Sequence, residues 1–362
     1  MNKLITIITP PASWQSSQIL CEISNNSYVL KKRTTPYYII IPIYKAVIDN
    51  NVLNKSINGY KFISSEQFHK EYSKNLYDAN NLLENDIKLP IIGTVITRPI
   101  AKYVLIKEIE LNDGNTQSNI GENEAKLKSE FDYINTMINA FHLLNSGTIN
   151  INKVYILSNN SSANYMIKSS TSLYEIKNHY LLEDQHSYYI PAYNITIETL
   201  KQVSTLIDQL LIIGDKYTIP LFYFNKYFSS YDIIDKLVNL SIVWESTILT
   251  NQKNELRYTL AIRGSYLLHK DLSEILKVAY DTRSEIVHNG NITNKILNKI
   301  KKIIGIENEI DFGILFNFIT KYLEPITRNI LMAILLKLFE NQELNISTFV
   351  ENLDKDISKS FE

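Results

Sequence analysis

The sequence predicts an α+β N-terminal domain over residues 1–195, an all-α up-and-down helical bundle over 196–345, and a C-terminal tail over 346–362. Runs rich in β-branched and aromatic residues are confined to the first half of the chain. From about residue 197, every long segment repeats its apolar residues with a period near 3.6. A length of 362 residues also exceeds one average domain. Short links between the helices favour antiparallel neighbours, and hence an up-and-down bundle.

In the first half, strands are predicted where β-branched and aromatic residues lie between turn-forming clusters. These runs are 37–43, 91–97, 103–107 and 154–158. A helix is predicted over 123–145, because apolar residues recur there at alternating spacings of four and three, and Gly147 follows as a stop. The segments 111–123 and 158–164 are rich in Asn, Ser and Gly, which predicts loops.

In the second half, the helical period predicts a series of helices. They span roughly 197–213, 230–250, 253–269, 272–289, 292–304, 312–323 and 326–340, with a short polar helix after Ser347. The segment from Asp271 to Glu274 is expected to form a capping box, and Gly290 and Gly305 stand where left-handed C-caps are expected. Pro325 is expected to start or kink the last long helix.

Composition excludes several classes of protein. Hydrophobic residues make up 45% of the chain and charged residues 21%, which is typical of a globular protein. The longest apolar run, from Ile330 to Leu336, is far shorter than the roughly 18 residues that span a bilayer. The N-terminus does not resemble a secretory signal, and a single cysteine, Cys21, agrees with a reducing compartment. We therefore predict a cytoplasmic protein without membrane association.

Neither a cofactor nor a metal is predicted. The chain has no glycine-rich phosphate loop of the Walker or Rossmann type. Five histidines lack the spacing of metal ligands, and satisfied or surface positions are expected for them: His69, His142, His179, His186 and His269. A net charge of −1 argues against nucleic-acid binding through bulk electrostatics, so any contact with RNA must be local.

Two arginines occupy positions on the apolar stripes of predicted helices. Arg283 lies in the stripe between Ala279 and Ile286, and Arg263 lies between Leu260 and Leu267. A guanidinium cannot lose its charge, so a packed position requires a carboxylate or a polar cleft to receive it. On helix 230–250, Glu245 is the expected partner for one of the two arginines.

A histidine follows Arg283 at an interval of five residues. His288 lies in the last turn of its predicted helix, on the polar edge formed by Lys277, Asp281 and Ser284. Five residues correspond to about 140° around the helix axis, so the two side chains border one groove without stacking. An imidazole can move protons while a guanidinium holds phosphoryl oxygens, a combination that suits cleavage of a phosphodiester. The same spacing also fits a salt-bridged arginine and a surface or C-capping histidine.

The segment 279–290, AYDTRSEIVHNG, with the upstream segment 255–268, ELRYTLAIRGSYLL, resembles the core of an ApeA-like HEPN domain. The shared features are the Arg-x4-His motif from Arg283 to His288, an upstream helix with Arg263 before a Leu-Leu pair, and an earlier helix carrying Glu245. The likeness covers roughly residues 197–342. It implies an all-α HEPN-type bundle that dimerises, and an N-terminal domain that is separate and variable.

The resemblance also implies a function. Two Arg-x4-His motifs would meet in the homodimer and form a composite site for metal-independent endoribonuclease activity. His288 would act as general base or acid for attack by the ribose 2'-hydroxyl, and Arg283 would stabilise the phosphoryl charge. Supporting roles fall to Ser284, Glu245, Arg263 and Asn289. Many nuclease members carry Asn, Asp or His after the arginine, whereas this chain carries Ser284, whose hydroxyl can also hydrogen-bond a phosphate.

Family members commonly act as toxins or in abortive infection against phage, which implies an anti-phage role in which a phage protein or other trigger acts on the N-terminal domain. A lysine cluster near the motif offers RNA-binding candidates, Lys295, Lys299 and Lys302, although a solvated face fits the same pattern. Two alternatives stay open. The bundle could be a non-catalytic HEPN dimer that binds RNA or protein, or the N-terminal domain could be the principal actor.

Overall fold

The computed structural model describes residues 20–24, 27–31, 34–43, 46–73, 101–112, 117–145, 147, 149, 154–158, 192–230, 232–306 and 311–360. An N-terminal α/β region that contains a β-sheet precedes a helical region, in which the described residues form nine helices. This order agrees with the predicted fold class at that level. The strand predicted over 91–97 and most of the loop predicted over 158–164 lie outside the described residues.

The main sheet has five strands in the order β5-β6-β7-β3-β8, and each neighbouring pair is antiparallel. A hairpin of β1 and β2 and a parallel pair of β4 and β9 complete the described strands. The strands are β1 (Leu20–Ser24), β2 (Ser27–Lys31), β3 (Thr34–Ile43), β4 (Ala46–Ile48), β5 (Ser56–Ile57), β6 (Tyr60–Ser64), β7 (Tyr103–Asn112), β8 (Tyr155–Ser158) and β9 (Tyr193–Ile195). The strands predicted over 37–43, 103–107 and 154–158 therefore correspond to β3, β7 and β8, whereas the other described strands were not predicted.

Strand β3 has apolar residues on both faces, because successive side chains of a strand point to opposite sides of the sheet. Ile39 and Ile41 contribute to the large core of the protein. Ile40 packs on the opposite face in a smaller cluster with Ile63, Phe68 and other residues. A continuous apolar run is what a strand buried on both faces requires.

Two helices belong to the N-terminal region. The short α1 (Ser65–Phe68) continues into a π-helical turn (His69–Ser73), and α2 (Gln117–Leu144) is the longest described helix. The prediction placed the start of α2 at residue 123 and a loop over 111–123. That loop prediction was wrong for 111–112, which belong to β7, and for 117–123, which form the mostly exposed first turns of α2, while 113–116 lie outside the described residues. Exposed helical turns carry no apolar period, so the sequence pattern could not show them.

The helical region contains α3 (Ile197–Ile213), α4 (Thr218–Ser229), α5 (Ile233–Glu245), α6 (Leu256–Leu267), α7 (Ser273–Asn289), α8 (Asn294–Ile304), α9 (Asp311–Phe318), α10 (Glu324–Glu340) and α11 (Ile346–Lys359). The bounds predicted for α3 are confirmed. Helix α4 was not predicted, because its sequence, TIPLFYFNKYFS, is rich in aromatic residues and contains a proline. Pro220 is tolerated because it lies in the first turn, where its missing N–H would have no helical partner.

Most predicted helix ends are confirmed, with three corrections. The helix predicted over 230–250 is shorter, since α5 ends at Glu245 and turns follow it. Gly290 and Gly305 adopt the left-handed conformation, with φ of +67° and +69°, and cap α7 and α8. The capping box predicted from Asp271 to Glu274 does not form as expected. Asp271 accepts a hydrogen bond from the Ser273 amide at 3.1 Å, and α7 begins at Ser273 instead of residue 272. Helices α9 and α10 are joined by a π-helical turn (Ile319–Leu323), so Pro325 lies in the first turn of α10 without a break in the chain's helical course.

One large cluster of buried apolar residues extends from β3 in the first half to α11 at the end of the chain. Helix α2 packs against α3, α4 and α10, which connects the sheet with the helical region. The division at residue 195 stays a prediction. Helix α11 confirms that a helix forms near Ser347, but the prediction of a short polar helix was wrong, because α11 has 14 residues and buries Phe349, Val350, Leu353 and Ile357 in the core. No helix in the described part of the chain combines the length and apolar character needed to cross a bilayer.

Candidate functional site

The candidate site lies on α6 and α7, which form an antiparallel helical hairpin. The helices pack closely at Gly264, where an added Cβ would lie 2.6 Å from Cδ1 of Leu276. At the other end of the hairpin, Nε of Arg257 lies 2.6 Å from Oδ1 of Asp281. A small residue near the connecting loop and an ion pair far from it therefore fix how the two helices lie against each other.

Arg283 of α7 is paired with Glu245, the last residue of α5. Its Nη2 donates a hydrogen bond of 2.7 Å to Oε1 of Glu245. The arginine side chain is 22% exposed and the glutamate side chain 38%, so solvent still reaches the pair. The Nε of Arg283 is buried and has no hydrogen-bond partner among the described residues. The partner predicted for one of the two arginines is thus confirmed, and the guanidinium retains an unused donor.

Arg263 has a different partner. Its Nε and Nη2 donate hydrogen bonds of 2.8 Å and 2.6 Å to the two carboxylate oxygens of Asp354 in α11. Its Nη1 also donates to the backbone carbonyl of Ile248 at 2.6 Å. Arg263 is buried, and all three contacts hold α6 within the bundle. These contacts are those of a structural arginine. They do not support the prediction that Arg263 assists at the site.

His288 is exposed in the last turn of α7, next to the exposed Asn289. Arg283 is directed towards α5, whereas His288 lies on the solvent side of the same helix. An interval of five residues accounts for this difference, because it turns the second side chain by about 140°. Within a single chain, the structure therefore places the two motif residues on different sides of α7.

The row of Lys277, Asp281, Ser284 and His288 on α7, which we call the α7 polar edge, is half-buried except at His288, which is exposed. Spacings of four, three and four place these residues in one row on the helix surface. Ser284 and His288 are separated by one helical turn, so Ser284 is nearer in direction to His288 than Arg283 is. Sequence reasoning identified this row correctly, but it did not identify what packs beside it.

Two other helices bring cations to the α7 polar edge. Asp281 contacts Arg257 of α6 and also Lys299 of α8, whose Nζ lies 3.3 Å from Oδ2. Lys295 and Lys302 are exposed on α8, whose apolar face is buried through Ile296, Leu297 and Ile300. Lys299 is thus brought to the edge, while Lys295 and Lys302 remain on the solvent face of α8.

Sequence reasoning missed Arg257 and Tyr258 as members of this surface. The Arg257 guanidinium carbon lies 5.3 Å from the centre of the Tyr258 ring, and the Lys277 Nζ lies 5.2 Å from it. The one feature of the sequence that could have indicated them is their position at the start of α6, the helix that pairs with α7 and its polar row. Their contact with that row depends on how the hairpin packs.

Among the described residues, no group of three or more His, Cys, Asp or Glu side chains could hold a metal ion. In comparisons with protein-family models, curated proteins and solved structures, no match to this chain was found. The arguments about function therefore rest on the motif residues and on the contacts described above.

Proposed function

We propose that this protein is a metal-independent endoribonuclease of the HEPN type, with a composite site formed by the α6–α7 hairpins of two copies of the chain. The observation that carries the proposal is the state of Arg283. It is partly accessible, it is held by Glu245, and it has a buried Nε without a hydrogen-bond partner among the described residues. A guanidinium in this state can bind a phosphoryl group, because its side chain is partly exposed while Glu245 fixes its direction.

The different directions of Arg283 and His288 explain why a second copy is needed. One chain cannot bring both side chains to the same phosphate if they lie on different sides of α7. A two-fold axis beside α7 would place Arg283 of one chain opposite His288 of the other, because a symmetric interface presents the same surface from both partners. The homodimer is accordingly part of the proposed mechanism.

In this mechanism, the imidazole of one His288 takes the proton from the ribose 2'-hydroxyl. The 2'-oxygen forms a bond to phosphorus while the bond from phosphorus to the 5'-oxygen breaks, and the 5'-oxygen receives a proton from the second His288. The products are a 2',3'-cyclic phosphate and a 5'-hydroxyl. Arg283 stabilises the negative charge that develops on the phosphoryl oxygens, which is the larger part of such catalysis.

The proposed biological role is that of a toxin or an abortive-infection effector, which follows from the resemblance of the motif segments. In that role, the N-terminal region would raise the basal activity of the nuclease when a trigger such as a phage protein is present. We expect expression of the active protein to halt cell growth through cleavage of RNA. Substitution of either motif residue should remove that toxicity.

The test is incubation of the purified protein with total RNA in the presence of EDTA. We expect the wild type to cleave RNA, and we expect Arg283→Ala and His288→Ala to abolish cleavage without loss of folded structure by circular dichroism. His269→Asn, which changes an exposed histidine at the end of α6, serves as the control and should cleave normally.

Two outcomes would overturn the proposal. Undiminished cleavage by both motif variants would rule out this mechanism. Retention of intact RNA by the wild type would instead support the alternative, in which the dimer is a non-catalytic binding module.

A further inference from the structure

Positive charge is concentrated in one part of this nearly neutral protein. Residues 253–305, which contain α6, α7 and α8, include ten Lys and Arg but only five Asp and Glu. This segment carries a formal charge of +5, or +3 once Asp354 and Glu245, which pair with Arg263 and Arg283 from outside it, are counted, whereas the whole chain carries −1. A local excess of this kind attracts a polyanion to one surface, even though the protein as a whole does not.

The exposed aromatic ring of Tyr258 lies beside the part of the α7 polar edge formed by Lys277 and Asp281. It is 49% exposed, and the side chains of Arg257 and Lys277 both approach its ring. At 1.5 Å per residue, the row from Lys277 to His288 is about 16 Å long. A stacking surface beside Lys277 and Asp281 and a proton-transfer group at His288 thus belong to one row.

Within this row, Asp281 holds two cations in place. It contacts Arg257 from α6 and Lys299 from α8, so one carboxylate faces two positive side chains. The group remains positive, and the side chains lose less conformational freedom when they bind a phosphate because they are already held at the surface. This arrangement differs from a row of freely moving surface lysines.

We propose that the α7 polar edge binds single-stranded RNA, with one base stacked on Tyr258 and phosphates contacted by Arg257, Lys277 and Lys299, so that the strand continues to His288. A single strand is required because a base can stack on a side chain only when it is free of its duplex neighbours. Lys277 has a flexible stem and can move from the tyrosine ring to a phosphate when a base takes its place. RNA is inferred because the proposed reaction at His288 requires a ribose 2'-hydroxyl. The inference therefore rests on the proposed function.

The experiment measures binding separately from cleavage. His288→Ala protein is titrated into a fluorescent single-stranded oligoribonucleotide and into the matching duplex, and the dissociation constant is followed by anisotropy at several salt concentrations. We expect preference for the single strand. Tyr258→Ala should weaken its binding about tenfold, while Tyr258→Phe, which keeps the ring, should bind nearly as the parent does.

Charge variants provide a second readout. Lys277→Gln should weaken binding and reduce the slope of log affinity against log salt by about 0.7, which is the value for one phosphate contact in a single strand. Lys337→Gln is the matched control, because Lys337 is an exposed lysine of α10 with an acidic neighbour, Glu340, at 2.9 Å. It should change neither the affinity nor the slope.

The outcomes separate this inference from the proposed function. If wild-type protein cleaves RNA but Tyr258→Ala and Lys277→Gln bind like the parent, the inference is wrong and the nuclease stands. If the edge variants lose binding but wild-type protein never cleaves, the binding surface stands and the nuclease does not. Equal affinity for single strand and duplex would also overturn the inference, since a duplex offers no free base to Tyr258.

Discussion

Asp354 holds the guanidinium of Arg263 through two parallel hydrogen bonds, of 2.8 Å and 2.6 Å, across 91 residues of sequence. A bidentate contact of this kind compensates a buried charge better than a single hydrogen bond does. It also joins α11 to α6, directly behind the hairpin that carries the candidate site. The C-terminal helix is therefore part of the packed helical region.

We predict that Asp354→Asn destabilises the protein by about 2 kcal/mol, because it leaves the buried Arg263 without its charge partner. A larger loss is not expected, since the Asp354 side chain is 47% exposed and water can replace part of the contact. The measurement is the free energy of unfolding in urea. Asp356→Asn on the same helix is the control, because its contact with Lys359 is exposed and 4.0 Å long. Equal stability of the two variants would contradict the structural role of Asp354.

We predict that Glu245→Gln lowers kcat for RNA cleavage about 10- to 100-fold while KM stays the same or falls. The ion pair fixes the direction of Arg283, and its loss leaves a guanidinium that still attracts phosphate but is less well positioned. Because the pair is partly exposed, the free energy of unfolding should change by less than about 1 kcal/mol. Kinetics on a defined oligoribonucleotide provide the measurement. An unchanged kcat would show that Glu245 does not position Arg283 for the reaction.

His142 is a buried histidine at the contact between α2 and the helical region. Its Nδ1 lies 2.7 Å from Oδ1 of Asn225 in α4, and its ring stacks on Phe228 with the centres 3.9 Å apart. Burial lowers the pKa of His142 to about 4, and the positive charge of Arg328, which pairs with the buried Glu324, acts in the same direction. The imidazole is therefore neutral in the folded protein at pH 7.

We predict that this histidine makes the protein less stable in mild acid. The unfolded chain binds a proton at a pKa near 6.5 and the folded chain only near 4, so stability falls as the pH decreases through this window. The loss between pH 7 and pH 5 should be about 2 kcal/mol. Urea unfolding at both pH values, with His142→Gln as the variant that cannot titrate, isolates the effect. The same pH dependence in both proteins would contradict it.

Two helical glycines should respond oppositely to substitution by alanine. Gly121 in α2 has no atom within 4 Å of an added Cβ, so Gly121→Ala should stabilise the protein by up to about 1 kcal/mol through helix propensity. At Gly264, the added Cβ would lie 2.6 Å from Cδ1 of Leu276, and we expect crowding to cancel that gain or reverse it. Thermal unfolding of the two variants tests the close approach of α6 and α7. A clear gain in stability at Gly264 would refute it.

Local pattern explains what could be predicted about the fold. The exact bounds of α3 and the glycine caps of α7 and α8 follow from apolar period and from the conformational freedom of glycine, which are local properties. Helix α4 escaped prediction because its aromatic residues suit a strand equally well, and only packing between α5 and α2 decides the matter. The start of α2 escaped because an exposed turn has no apolar face to display.

The sequence by itself determined the order of an α/β region and a helical region, the row of polar residues along α7, and the need of two stripe arginines for compensation. The tertiary structure alone decided which carboxylate each arginine received, because Glu245 and Asp354 are 38 and 91 residues away from their partners. It alone also brought Arg257, Tyr258 and Lys299 to the α7 polar edge. Contacts across such distances depend on how helices pack against one another, and no periodicity within a single helix encodes the neighbours it will meet.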